Sequence, residues 1–241
     1  MELTMSLVPD EKLAVPVSYS YALQSAVYEK LREIGASDFF HDSGYGDSSR
    51  YKGFCFGPLT GKYRYIQEKR LLRFSGPINF ELRSPLYKFI DAFSEALEKA
   101  PELTLLHQRL AVSEIHVSNR AFSEGPARFR AVTPVVYSSI RGNRTVYHTP
   151  EEDCFFTSLE SNIQKKYSAL IGKECGEFRI SGDEDYRKCV TLYKGIWITG
   201  YTGIFNITSG AELKNFIYDV GLGEKSSGGM GFIEEVSDSF C

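Results

Sequence analysis

Hydrophobic and polar positions alternate from Met1 to Leu7, the period of a strand with one buried face. From Tyr19 to Ile34 the period lengthens. Leu23, Val27, Leu31 and Ile34 form one apolar stripe, and Gly35 ends the predicted helix. Phe39 to Arg50 is polar and glycine-rich, which predicts a long loop. Gly53 to Leu59 and Arg70 to Phe74 predict a strand pair. Ser84 then caps a second helix, with Pro85 in the first helical position, where a missing N–H costs nothing. Leu86, Phe89, Ile90, Phe93 and Leu97 are its apolar face, and Pro101 closes it. Leu103 to His107 and Leu110 to Val117 are strand-like, so the predicted order is βαββαβ.

The same order returns in the second half. Ala127 to Ser138 and Thr145 to His148 flank an Arg-Gly-Asn-Arg turn, which predicts a hairpin. Thr149-Pro150-Glu151-Glu152 is a helix start, and Phe156, Leu159, Ile163 and Leu170 carry that helix to Gly172. Glu177 to Ile180 and Lys188 to Tyr193 flank an acidic turn, and Ile196 to Ile207 is β-branched and aromatic. Ser209 with Glu212 predicts a capping box for a last helix, whose face is Leu213, Phe216, Ile217 and Val220. Gly221 ends it, and Phe232 to Val236 predicts a final strand. The reading is α+β: two tandem ferredoxin-like domains, residues 1–120 and 121–241, joined near 118–126.

Between that last helix and strand lie five of the 21 glycines within eleven residues, Gly221 to Gly231, together with Lys225, Ser226 and Ser227. Glycine lets a backbone approach a ligand and present its N–H groups, so such a loop suits phosphate; the competing reading is a flexible surface loop. Walker A requires Gly-Lys-Ser/Thr followed by a helix, and here Lys225 precedes two serines and a strand. A dinucleotide fingerprint would open a βαβ unit, which the few residues after Gly231 cannot supply.

Net charge changes the picture only through its distribution. The chain of 241 residues carries a formal −3, against broad attraction to phosphate. Yet Arg50, Lys52, Lys62, Arg64, Lys69, Arg70 and Arg73 face one acid, Glu68, in a short span. Five cysteines, an odd number with no CxxC, fit a reduced, cytoplasmic protein. The N-terminal residues lack a secretory pattern, and no stretch approaches the ~18 apolar residues of a membrane span. His107, His116 and His148 are scattered without zinc spacing, and Asp183-Glu184-Asp185 reads as a solvated acidic turn; no metal site is expected.

Two Gly-hydrophobic-Gly units, Gly221-Leu222-Gly223 and Gly229-Met230-Gly231, together resemble the glycine-rich loop of the RAMP superfamily. In particular the chain looks like the repeat-processing endoribonucleases of the sixth Cas family. That family has a helix tyrosine, a loop histidine and a lysine entering a Phe-x-Phe/Tyr-Ser strand. Tyr28, His41 and Lys52 match those positions, the last before Gly53-Phe54-Cys55-Phe56-Gly57, with Gly57 in place of serine. The resemblance implies tandem ferredoxin-like domains and metal-independent cleavage of CRISPR repeat RNA without a cofactor. In that reading the RNA 2′-hydroxyl attacks the adjacent phosphate, and His41 protonates the leaving 5′-oxygen. Lys52 offsets charge on the phosphorane, and Tyr28 serves as base or orients the 2′-hydroxyl.

RNA contacts are then expected from Gly221, Gly223, Lys225, Ser226, Ser227, Gly229, Gly231, Arg64 and Arg70. Association with an effector complex and a homodimer stay open, and no membrane partner is expected. Each residue also has an ordinary reading: Tyr28 packs between helix and sheet, Lys52 is a solvated strand-entry charge, and His41 is a surface filler. Two rivals follow. One is a non-catalytic RAMP-type subunit that holds guide RNA. The other is a metabolic enzyme on the same scaffold, since fold does not fix function.

Overall fold

In the computed structural model the first strand, β1 (Glu2–Pro9), buries Leu3, Met5 and Leu7 and leaves the residues between them partly exposed, as the alternation requires. The structure describes residues 1–36, 45–46 and 51–236. A short β2 (Ala14–Pro16) leads to α1 (Ser20–Arg32). Then come β3 (Cys55–Phe56), β4 (Thr60–Ile66), β5 (Leu71–Arg83), α2 (Tyr87–Lys99), β6 (Glu102–Leu105) and β7 (Gln108–Ser118). They form one antiparallel sheet in the order β2-β5-β1-β7-β6, with β3 and β4 also on β5. Helices α1 and α2 cover one face, where Leu23, Val27 and Leu31 meet Phe89, Phe93 and Leu97 over Phe80 and Leu82.

The strand pair expected from Gly53–Leu59 and Arg70–Phe74 is replaced by a longer arrangement. Strand β5 has 13 residues, enough to take two partners in succession along one edge. Its beginning pairs with β4 (Ile66 opposite Leu71, Tyr63 opposite Phe74), and its end pairs with β3 (Phe56 opposite Leu82). Strand β4 escaped the sequence pattern because nearly all of it is exposed, so no alternation marks it. A left-handed Arg70 (φ 49°) closes the turn between β4 and β5.

The second half runs β8 (Gly125–Ala131), a hairpin of β9 (Ser138–Arg141) and β10 (Arg144–Tyr147), α3 (Cys154–Ile171) and β11 (Arg179–Gly182). A second hairpin of β12 (Arg187–Tyr193) and β13 (Ile196–Thr202) precedes β14 (Ile204–Ser209), α4 (Ala211–Val220) and β15 (Ile233–Glu235). The main sheet has the order β11-β14-β8-β15, and α3 and α4 pack on it through Leu159, Ile163, Phe216 and Ile217. Setting the hairpins aside, both halves have the ferredoxin-like arrangement, each around its own core.

Three local expectations change here. The acidic turn does not close a hairpin: β11 pairs with β14, β12 pairs with β13, and Asp183 is held by Arg128 and Asn206. The Ile196–Ile207 run is two strands in different sheets, broken at Gly203, whose φ of 157° and closeness to the Tyr186 ring leave no room for a Cβ. The Ser209 capping box does not form. Ser209 is paired with Gly125 at the end of β14, its hydroxyl donates to the Gly210 carbonyl, and Glu212 accepts from Tyr167 instead.

The halves are locked together by Arg83, buried to 1% exposure at the end of β5. Its guanidinium lies 3.6 Å from the Tyr218 ring centroid and 3.8 Å from that of Phe232, and it donates to the Ile233 carbonyl at 2.6 Å. Glu81 and Glu2 supply its counter-charge. Beside it the Met1 ammonium pairs with Asp219 of α4.

Candidate functional site

The glycine loop is buried rather than draped over the surface. Gly221, Gly223, Gly229 and Gly231 all have positive φ, between 65° and 82°. At Gly231 an added Cβ would sit 1.8 Å from the Leu222 carbonyl oxygen, and at Gly223 one would sit 2.5 Å from that of Val136. These positions therefore need glycine for close packing as well as for conformation. Several of the loop's amides are used inside the protein: Leu222 N–H bonds the Gly231 carbonyl, Glu224 N–H that of Val136, and Gly231 N–H that of Pro134. The loop turns Lys225, in a left-handed conformation and exposed, and the half-buried Ser227 outward.

Lys166 of α3 pins the loop from below. Its ammonium donates to the Gly221 carbonyl at 3.0 Å, the Gly223 carbonyl at 2.7 Å and the Ser226 hydroxyl at 2.9 Å, one acceptor for each proton. Burial pushes its pKa down to about 7, with Cys55 and Glu224 pulling the other way. Sequence reasoning passed over this lysine. Its signal was the spacing: Leu159, Ile163, Lys166 and Leu170 share the buried stripe, and a charge on such a stripe needs a polar destination.

A cavity of about 310 Å³ opens beside the loop, lined by Lys52, Phe54, Asn162, Glu224, Lys225 and Ser227 among others. Lys52 reaches it half-buried from the segment before β3. Tyr28 stands on α1 next to Val27, edge-on to Phe54 with ring centroids 5.7 Å apart, and its hydroxyl is hydrogen-bonded to Ser227. Burial drives the phenol above its ordinary pKa, Tyr193 adds to the shift and the Ser227 bond opposes it. That disfavours a phenolate at neutral pH and suits an orienting hydroxyl. Gln24, one turn before Tyr28, donates to the Ser227 carbonyl at 2.8 Å and accepts from Tyr193 at 2.7 Å.

The structure therefore brings Tyr28, Lys52 and the glycine loop to one place. His41 lies outside the described residues, as does Arg50. Arg64 and Arg70 do not line this cavity; they lie on the exposed β4–β5 arm, where Arg64 is directly opposite Arg73. Gly57, where the resemblance led to a serine, faces the Phe232 ring, which an added Cβ would approach to 3.0 Å.

The expectation that His148 is isolated is overturned. His148 Nε2 is 2.7 Å from the Ser139 hydroxyl, its Nδ1 is 2.7 Å from Glu152, and Cys154 Sγ is 3.8 Å from the same nitrogen. The donor atoms of His148, Glu152 and Cys154 all lie within 4.8 Å of one another. The sequence signal was the Thr149–Glu152 start motif. Its hydrogen bonds form one turn ahead of α3, with Thr149 N–H donating to Glu152 and Glu151 N–H to the Thr149 hydroxyl, so this turn folds Glu152 back onto His148.

Two ferredoxin-like units with a glycine loop packed at their junction define the RAMP class of protein. The model for the C-terminal part of the CRISPR-associated protein Cas6 matches residues 116–235. The chain belongs to the Cas6 family. A CRISPR-associated endoribonuclease Cas6 of Methanocaldococcus jannaschii is 24% identical over 99% of this chain and 94% of its own length. The Cas6 of Pyrococcus furiosus is also 24% identical, over 97% of this chain and 89% of its own. Among solved structures, a Cas6-related protein from Pyrococcus furiosus superposes with a TM-score of 0.84 at 22% identity, covering 99% of both chains. A RAMP protein described as binding different RNA substrates gives 0.82 at 21% identity, over 98% of this chain and 99% of that one.

Proposed function

We propose that this protein is an endoribonuclease that cuts precursor CRISPR RNA within its repeats, by attack of a 2′-hydroxyl on the adjacent phosphate, to give mature guide RNAs. The observation that carries the reading is the convergence of Tyr28, Lys52 and the glycine loop at Ser227, in a chain of the Cas6 family. Lys52 offsets charge on the non-bridging oxygens of the phosphorane. Tyr28, kept protonated by burial, orients the attacking hydroxyl. His41 protonates the departing 5′-oxygen, a step worth roughly 10²–10⁴ in rate.

RNA lies along the junction of residues 1–120 and 121–241, touched by Lys225 and Ser227 and by the β4–β5 arm. On that arm Arg64 and Arg73 are directly opposed, and like charges so placed repel unless an anion lies between them. Exposed Tyr63 and Tyr65 on the same strand offer faces for stacking bases.

The test uses labelled repeat RNA. Cleavage should persist in EDTA, should leave a 2′,3′-cyclic phosphate and a 5′-hydroxyl, and should stop when one 2′-deoxy residue precedes the cut. Binding of the deoxy substrate should survive. A 5′-phosphate product overturns the mechanism, and binding with no cleavage at all turns the reading into the guide-holding subunit. Hand-over to an effector complex and self-association as a homodimer are checked by co-purification and sedimentation velocity.

A further inference from the structure

We propose that His148, Glu152 and Cys154 form a site for a borderline-soft divalent cation, zinc above all, where the β9–β10 hairpin meets α3. The donor set is one imidazole, one carboxylate and one thiol, the mixture that zinc accepts and that magnesium or calcium does not select. Tetrahedral zinc with bonds of about 2.0–2.3 Å holds its ligand atoms roughly 3.3–3.8 Å apart. The three donors already lie within 4.8 Å, and Cys154 Sγ is 3.8 Å from His148 Nδ1, so small side-chain rotations suffice.

The imidazole is set in advance for this role. It is 4% exposed and stacked on Tyr137, with ring centroids 4.9 Å apart, which fixes its plane. Ser139 holds Nε2 at 2.7 Å and leaves Nδ1 facing the other two donors. A serine hydroxyl both donates and accepts, so it keeps this bond when Nδ1 exchanges its proton for a metal and Nε2 retains the hydrogen. Glu152 is held too: one oxygen accepts from Thr149 N–H at 3.0 Å, and the other is aimed at His148. Cys154 is exposed, which gives the ion a way in and leaves a fourth position for water.

A bound ion would tie the end of β10 to the start of α3. The same hairpin begins at Ser138, whose hydroxyl donates to Glu224 of the glycine loop at 2.7 Å. The role is structural, and it stands apart from the cavity that holds Lys52 and Ser227.

The test titrates metal-free, full-length protein with cobalt(II), without RNA. One equivalent should bind with a thiolate-to-cobalt charge-transfer band that zinc then bleaches. Cys154→Ser, a small change at an exposed position, should lose the band while circular dichroism stays unchanged. Ser139→Ala, which touches no metal, should weaken cobalt affinity by about 10-fold. No band in the wild-type protein overturns the proposal. So does an equal band in Cys154→Ser, which would place the metal on other cysteines. Neither result bears on RNA cleavage, which is read separately.

Discussion

The two halves share one order of strands and helices and differ in where they put the rest of their chain. In the first half the additions all hang on β5: the basic β4–β5 arm reaches into solvent, while β2 and the buried β3 extend the sheet, β3 placing Phe56 against Gly229. In the second half the two inserted hairpins fold back on the glycine loop. The run before β9 supplies the Pro134 and Val136 carbonyls, β9 itself supplies Ser138, and the tip of β12–β13 brings Tyr193 against Gly228. Candidate chemical groups, Tyr28 and Lys52, come from the first half, and the second half builds the seat they face.

The sharpest way to break that contrast is at the seat. Gly231→Ala forces a Cβ into the Leu222 carbonyl at a positive φ. It should destabilise the protein by more than about 4 kcal/mol, read by urea denaturation, with RNA binding lost only as the folded fraction falls. A variant of wild-type stability that binds RNA poorly would instead make the loop a pure contact surface. His41→Ala probes the other half: cleavage should slow by roughly 10²–10⁴-fold with the melting temperature and RNA affinity nearly unchanged. Equal rates for variant and wild type would remove His41 from the mechanism.

The smallest expected effect lies on the boundary between the halves. Burial raises the Asp219 carboxyl to about 6, against the pull of the Met1 ammonium and Arg83. The folded state therefore keeps a proton there that the unfolded chain releases near 3.8, and this group's contribution to stability falls as pH rises from about 4 to about 6. The fall is at most about 3 kcal/mol. Asp219→Asn should flatten the stability profile in that window. Parallel profiles for the two proteins would mean that Asp219 is ionised throughout.

The four helical stripes and the outline order of strands and helices in each half were legible, because burial of one face leaves a period in the sequence. What escaped were an exposed strand and residues whose polar partners only the folded chain brings to them. Strand β4 is exposed on both faces and has no period to read. Lys166 looked like an ordinary helix lysine until the Gly221 and Gly223 carbonyls were placed against it. His148 looked solitary because Ser139 approaches it across a hairpin and Glu152 through a turn. The glycine cluster is visible in the sequence, but the carbonyls of Leu222 and Val136 that leave no room for a Cβ at Gly231 and Gly223 are not.

Arg83 links the two cores in a further sense. Its guanidinium is sandwiched by Tyr218 and Phe232 of the second half while its backbone ends a strand of the first. If either half melted alone, a cation built to be desolvated would lose its rings or its strand, at a cost of several kcal/mol. Two hydrophobic cores would ordinarily permit two melting transitions. With this residue between them the chain should unfold in one, and calorimetry should find a single cooperative unit that spans both halves.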